Sequence, residues 1–321
     1  MVREKPFGAA TLLTLSDGTV TVELLSFGAA VRSIIVPDRD GKPVDVCLGY
    51  DTLEEYRAHD GCLGACVGRH ANRIAGAEIT LDGTRWPLAA NEGANQLHGG
   101  PDGFGNRMWD FTHDENSVTF TLHSPHLDQG FPGNLDASVR YALSGGTLTL
   151  TYRAVSDRDT VVNLTNHTYF NLSGHASGRV DAQELTVHAG RYTPCGEGNI
   201  PTGEILPGEG TRFDLRRPAP LAGRDYDHNF VLDGRAAAEL YSPATGIALA
   251  VETTQPGVQV YTAGFLSERK GKGGAVYGPA NAVCLETQHF PDAIHHADFP
   301  SPVLKAGAEY EETTSFRFYT R

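Results

Sequence analysis

Apolar and polar residues alternate with a period of two along most of this chain. Gly18-Thr-Val-Thr-Val-Glu-Leu, Ser117-Val-Thr-Phe-Thr-Leu-His, Gly146-Thr-Leu-Thr-Leu-Thr-Tyr and Gly257-Val-Gln-Val-Tyr-Thr each set one apolar row against one polar row, the pattern of half-buried β-strands. Stretches with a helical period are scarce, and one short helix is predicted at Thr52-Leu-Glu-Glu-Tyr-Arg-Ala. The 37 glycines and 18 prolines interrupt the alternating runs every few residues, so the strands must be short and joined by turns. Ser144-Gly145-Gly146, between Val139-Arg-Tyr-Ala-Leu and Thr147-Leu-Thr-Leu, predicts a hairpin. No linker, composition break or repeat divides residues 1–321, which therefore read as one all-β domain. Many antiparallel strands without helical crossovers imply a sandwich of two large sheets.

Charge and cysteine content narrow the function. A formal net charge of -13 opposes non-specific attraction to nucleic acid or to an anionic membrane, and a neutral small molecule fits better. The five cysteines, Cys47, Cys62, Cys66, Cys195 and Cys284, are an odd number without a paired CxxC, and read as reduced thiols rather than a zinc site. The amino-terminal Met1-Val-Arg-Glu-Lys-Pro-Phe-Gly-Ala-Ala10 has no apolar run of signal-peptide length, and no later segment approaches the ~20 apolar residues of a membrane span. A cytoplasmic protein is expected.

Four segments break the strand pattern with chemistry. Asn163-Leu-Thr-Asn-His-Thr-Tyr-Phe-Asn-Leu-Ser-Gly174 surrounds His167 with amides, hydroxyls and aromatic rings where a plain strand would carry aliphatics. Such a mixture suits a carbohydrate, which needs donors and acceptors for its hydroxyls and flat rings against its carbon faces, and a histidine can pass a proton near neutrality. Taken alone, His167 would more often be a hydrogen-bonded core residue. Gly68-Arg69-His70-Ala71-Asn72-Arg73-Ile74 and Asn91-Glu-Gly-Ala-Asn95-Gln-Leu97-His98-Gly99-Gly100 read as loops that present polar groups. In Leu285-Glu286-Thr287-Gln288-His289-Phe290-Pro291-Asp292, Glu286 follows the apolar run Ala282-Val283-Cys284, so its carboxylate emerges from a buried strand, where it is costly unless partnered or used.

These segments, together with PDRDGKPVDVCLGYDTLEEY, DYDHNF at Asp225–Phe230, PGVQVYTAGF at Pro256–Phe265, GKGGAVY at Gly271–Tyr277 and DFPS at Asp298–Ser301, resemble the aldose 1-epimerase, or galactose mutarotase, family in the same order from about Phe27 to Pro302. The resemblance implies a single-domain β-supersandwich with very little helix, a free aldohexose such as galactose or glucose as substrate, and no cofactor or metal. It also implies Glu286 as general base and His167 as general acid, with Asn72, Arg73, His98, Asp227 and Gln259 binding the sugar. Read without the motifs, Arg73 is as easily a surface ion-pair residue, Asp227 a turn former and Gln259 a solvated strand-edge amide. Two departures from the family pattern stand out: Gly264 and His295-His296, each where an asparagine is common.

The chemistry asked of these residues is simple. Exchanging the anomers of a sugar opens the ring and closes it on the other face of the carbonyl, which takes one group to accept the anomeric hydroxyl proton and another to protonate the ring oxygen. A carboxylate and an imidazolium suit the task if burial raises the first pKa and the nearby negative charge holds the second up. Among the aromatics that could stack on a sugar, Tyr169, Phe170, Trp86, Trp109, Phe290 and Phe299, most read as core, and Phe290 lies nearest the candidate base. His289, Asp292, His295, His296 and Asp298 crowd ten residues but lack a regular ligand spacing, and read as a loop. Two rival functions remain. A hexose-6-phosphate 1-epimerase would need a cationic pocket, for which Arg269-Lys270-Gly271-Lys272-Gly273-Gly274 is the available run, and a non-catalytic carbohydrate-binding protein would have no need of both Glu286 and His167. The partner expected is a monosaccharide, with the chain a monomer or a homodimer.

Overall fold

A computed structural model describes residues 2–321. Two antiparallel sheets make the body. The larger has nine strands, in the order Asp110–His113, Ser117–Ser124, Leu135–Ser144, Thr147–Ser156, Glu309–Thr320, Ile247–Thr253, Ala236–Tyr241, Glu184–Val187 and Ala219–Pro220. The smaller has six, Tyr169–Phe170, Val283–Gln288, Gly257–Tyr261, Asp227–Val231, Arg191–Tyr192 and Leu206–Pro207. A five-stranded sheet formed by residues 3–45 and several two-stranded ribbons complete the molecule. The expected all-β sandwich is therefore present, with an additional amino-terminal sheet that the alternation alone did not separate.

Alternation decides what each face meets. Leu135, Ala137, Val139, Tyr141 and Leu143, and across from them Leu148, Leu150, Tyr152 and Ala154, turn their side chains to one side of the large sheet. Phe170, Val283, Leu285, Val258, Val260 and Phe230 of the smaller sheet join the same buried cluster. The sandwich core lies between these rows, and Thr287 and Thr314 cross it with hydroxyls 2.6 Å apart. The opposite face of the smaller sheet carries the even-numbered partners of those residues along Val283–Gln288, and there the chemistry begins.

The predicted hairpin is present. Ser144 pairs with Thr147, leaving a two-residue loop in which Gly145 and Gly146 both have positive φ, 56° and 74°, the sign that a type I′ turn requires. The predicted helix spans Leu53–Ala58. Thr52 caps it, its hydroxyl accepting from the Glu55 backbone N–H while the Glu55 carboxylate accepts from the Thr52 N–H, a reciprocal capping box. Leu53 and Tyr56 are its buried residues. All five cysteines are unpaired.

Candidate active site

Three neighbouring strands place the candidate residues on one face. Glu286 of Val283–Gln288 lies directly opposite Gln259 of Gly257–Tyr261, Gln259 lies opposite Asn229 of Asp227–Val231, and Asp227 is two residues from Asn229. With a period of two, Glu286, Gln259 and Asp227 must therefore share a face, the face away from Val283 and Leu285. His167 arrives from the segment between Thr165–Asn166 and Tyr169–Phe170, its backbone N–H donating to the Ala65 carbonyl and its own carbonyl accepting from Gly64. Arg73 opens a two-stranded ribbon with Gln96–Leu97, which brings Asn72, Arg73 and His98 together.

Asn72 and His98 both hold left-handed backbone, φ 63° and 53°, a conformation that asparagine tolerates better than most. The two residues lock each other: the His98 N–H donates to the Asn72 carbonyl at 3.1 Å, and the Asn72 N–H donates to His98 Nδ1 at 3.2 Å. Gly99 follows because φ is 83° and a Cβ there would lie 2.0 Å from the Gly68 carbonyl oxygen. Since Nδ1 accepts a hydrogen bond, the neutral ring carries its proton on Nε2. Partial burial, with the charges of His167 and Arg73 nearby, holds the His98 pKa well below its usual value.

These elements surround a cavity of about 930 Å³, lined by Asn72, Arg73, His98, His167, Asp227 and Glu286. The Tyr169, Tyr261 and Phe265 rings also line it. His167 Nε2 and Glu286 Oε2 stand 3.6 Å apart, with side chains only 6% and 2% exposed. That separation is beyond hydrogen-bond length, and neither Glu286 Oε2 nor His167 Nδ1 has another partner. Buried polar atoms left without partners are uncommon and mark places where a ligand or water belongs. The His167 ring stacks on Tyr169 at 4.9 Å and 20° and meets the edge of Tyr261 at 6.2 Å, which fixes its plane.

Burial sets the proton affinities. It pushes the Glu286 carboxyl well above the usual carboxylate range, with the Asp227 charge adding to the rise and Arg73 opposing it. It pushes His167 down to about 4. The expectation that a neighbouring carboxylate would hold His167 up is thus corrected: at 4% exposure the loss of water around an imidazolium outweighs the attraction of a group that is itself reluctant to ionise. In water histidine holds a proton about two units more tightly than glutamate; here burial shifts the two groups in opposite directions, against that order.

Gln259 is the predicted site residue that does not line the cavity. It lies behind Asp227, its Nε2 donating to Asp227 Oδ1 at 2.7 Å, and it is 3% exposed, so it is not a solvated edge amide. Asp227 Oδ2 accepts from Asn199 Nδ2 at 3.2 Å and faces Arg73 Nη1 at 3.8 Å. Arg73 Nε and Nη2 donate to the two oxygens of Glu92 at 2.7 and 2.8 Å. Sequence reading passed over Glu92, Asn199, Tyr261 and Phe265. The available signals were the glycine-flanked acid in Asn91-Glu92-Gly93 and an aromatic pair within YTAGF.

Other expectations resolve clearly. Phe290 packs with Phe299, Val231 and Ala293 in a separate buried cluster, and Phe170 and Trp109 belong to the sandwich core; proximity of Phe290 to Glu286 in sequence misled because the strand ends at Gln288 and the chain beyond it no longer follows the strand's alternation. Arg69 is consumed inside the protein, donating to the carbonyls of Ser124, Pro132 and Gly133. Asp292 accepts from the Ala75 N–H at 2.9 Å and pairs with His295 Nδ1 at 2.6 Å, so the histidine-rich stretch is a braced loop. In the glycine-rich basic run, Lys272 is buried against the Arg32 and Cys47 carbonyls and Asp45, and Arg269 against Asp60, Tyr50 and Ser267. Neither faces the cavity. A Cβ at Gly264 would lie 2.8 Å from Oδ1 of the exposed Asp225 side chain, which would have to turn aside for any larger residue there.

The donor atoms of His98, His167 and Glu286 all lie within 4.8 Å of one another, close enough for a metal ion to be considered. The tautomer of His98 opposes it: the Asn72 N–H occupies Nδ1, so Nε2 offers a proton to the cavity and not a lone pair. The Cys62 thiol at the wall is pushed up to about 12, chiefly by burial, which disfavours the thiolate that would act as nucleophile or metal ligand.

The model of the family described as aldose 1-epimerase matches residues 11–317. A galactose mutarotase from Bos taurus is 44% identical over 327 residues, covering 98% of this chain and 96% of that protein; one from Homo sapiens is 43% identical with the same coverage. This chain belongs to the aldose 1-epimerase family. An aldose 1-epimerase from Escherichia coli is 38% identical over 96% of this chain and 94% of its own length. Among solved structures, an aldose epimerase homologue from C. elegans superposes with a TM-score of 0.93 at 30% identity, covering 97% of this chain and 99% of that one. Galactose 1-epimerase from Lactobacillus acidophilus does so at 0.86 and 27%, covering 100% and 98%.

Proposed function

We propose that this chain, acting as one domain over residues 1–321, interconverts the α and β anomers of free aldohexoses such as galactose and glucose. The observation that carries the reading is the unbridged pair, His167 Nε2 and Glu286 Oε2, 3.6 Å apart and both buried at the wall of the cavity. In the reacting state the pair holds one proton. Glu286, as the carboxylate, takes the proton from the anomeric hydroxyl while His167 gives one to the ring oxygen, and the bond from C1 to that oxygen breaks. The open-chain aldehyde turns about its C1–C2 bond. Closure runs the same transfers backwards, with His167 accepting and Glu286 donating, onto the other face of the carbonyl. No electrons are gained or lost.

Opposed shifts serve this chemistry, because burial raises the proton affinity of the carboxylate that must accept and lowers that of the imidazolium that must donate. His98 presents its Nε2–H to the oxygen that gains charge as the ring opens, and Asn72, Arg73 and Asp227 hold the remaining hydroxyls. In this reading Gln259 supports Asp227 and does not touch the sugar. A phosphorylated sugar fits poorly: four carboxylate residues, Asp60, Glu92, Asp227 and Glu286, line the cavity against two arginines, Arg57 and Arg73, and the second of these is already held by Glu92. The test is polarimetry of freshly dissolved α-galactose, α-glucose and glucose 6-phosphate. Acceleration of the free sugars and not of the phosphate is expected; acceleration of the phosphate alone would replace this substrate reading.

A further inference from the structure

Arg73 stands between two carboxylates and is bound by one of them. Glu92 receives both Nε–H and Nη2–H at 2.7 and 2.8 Å, the bidentate arrangement in which a guanidinium is held most firmly. Asp227 Oδ2, 3.8 Å from Nη1, receives no hydrogen bond from Arg73. The Arg73 and Asp227 side chains are 9% and 17% exposed, and attraction across such a gap is strong where water is scarce. Left to themselves the two would close on each other, and a closed pair would spend on itself the donors and acceptors that both turn toward the cavity.

We propose that Glu92 is a positioning residue: by clamping the far edge of the Arg73 guanidinium it keeps Arg73 and Asp227 from pairing, and so keeps both free for sugar hydroxyls. Asn199 and Gln259, which donate to the two Asp227 oxygens at 3.2 and 2.7 Å, hold the other side of the gap. The role attributed to Arg73 and Asp227 rests on the function proposed above. Glu92 itself sits in the loop between Ala89 and Gln96, half-exposed, with no place in the main cores, so Glu92→Gln should fold.

The experiment compares wild type, Glu92→Gln and Glu92→Asp by calorimetric titration with galactose, turnover in the polarimeter, and a crystal structure of the Gln variant. Glu92→Gln should weaken galactose binding about tenfold, the scale of one lost charge-assisted hydrogen bond, with kcat within about twofold of wild type. Glu92→Asp, which keeps the charge, should recover part of the affinity. In the crystal the gap of 3.8 Å from Arg73 Nη1 to Asp227 Oδ2 should shorten to hydrogen-bond length. Unchanged affinity overturns the inference, as does a weakened affinity with the gap still open, or a loss confined to kcat. If the wild type neither binds nor turns over galactose, the proposed function falls instead, and the gap in the Gln variant alone decides the role of Glu92.

Discussion

His167 and Glu286 are each almost fully buried, and the proposed reaction would use what that burial does to their proton affinities. Glu286→Gln or His167→Asn should each lower kcat by about 10²- to 10⁴-fold, the usual worth of one general acid or base, with little change in melting temperature because both removed groups are unpartnered. A variant with near wild-type turnover would contradict the assignment. The pH profile follows from the same shifts. The competent pair carries one proton, and a second arrives only as pH falls through the His167 value of about 4. Activity should therefore hold through pH 6.5, where an ordinary histidine protonates, and fall near 4; an acid limb in kcat/KM at 6.5 would show that His167 is not depressed in the free enzyme. Glu286 was legible in the sequence because an acid at the end of an apolar run has to be explained. Glu92 and Asn199 were not, since their meaning comes from Arg73 and Asp227, partners that sequence distance conceals. The depressed His167 could not be read either, because desolvation depends on what the fold packs around a ring and not on its neighbours in the chain.

At the scale of elements, the strand Val283–Gln288 has two duties. Its odd-numbered side chains, Val283 and Leu285, hold the sandwich core, while Glu286 faces the cavity. Leu285→Ala should destabilise the protein by about 2–5 kcal/mol, the range for truncating a buried leucine, and should loosen Glu286 with it, lowering kcat below what the remaining folded fraction accounts for. Denaturant unfolding alongside turnover at a temperature where the variant stays folded would check this, and a stability loss with kcat intact would separate the two duties. The alternating runs and the turn at Gly145-Gly146 were readable because strand period and turn geometry are local. The amino-terminal sheet was not distinguished from the others, for which sheet a strand joins is fixed by contacts far along the chain. Full burial of the strand Val283–Gln288 on both faces likewise hides the alternation that elsewhere reveals an orientation.

Across the whole molecule, burial of neutral histidines couples folding to acid. His167 and His289 are pushed down to about 4 and His70 to about 3, each chiefly by burial, and His98 is held well below the usual value. In the unfolded chain these rings take up protons near pH 6.5. Between about 6.5 and 4 the unfolded state thus binds more protons than the folded one, so stability rises with pH in that window and is lost as pH falls through it. Calorimetry should show a melting temperature that drops from pH 6.5 to 4.5 with net proton uptake on unfolding; a flat melting temperature there would mean the histidines titrate in the folded protein. The measurement that bears most directly on the central claim is the optical rotation of freshly dissolved α-galactose followed in time, without protein, with catalytic wild type and with Glu286→Gln. The account predicts that the wild type hastens equilibration and that the variant loses at least about a hundredfold of that acceleration. Equal acceleration by both proteins would remove Glu286 from the chemistry, and no acceleration by the wild type would remove the mutarotase reading itself.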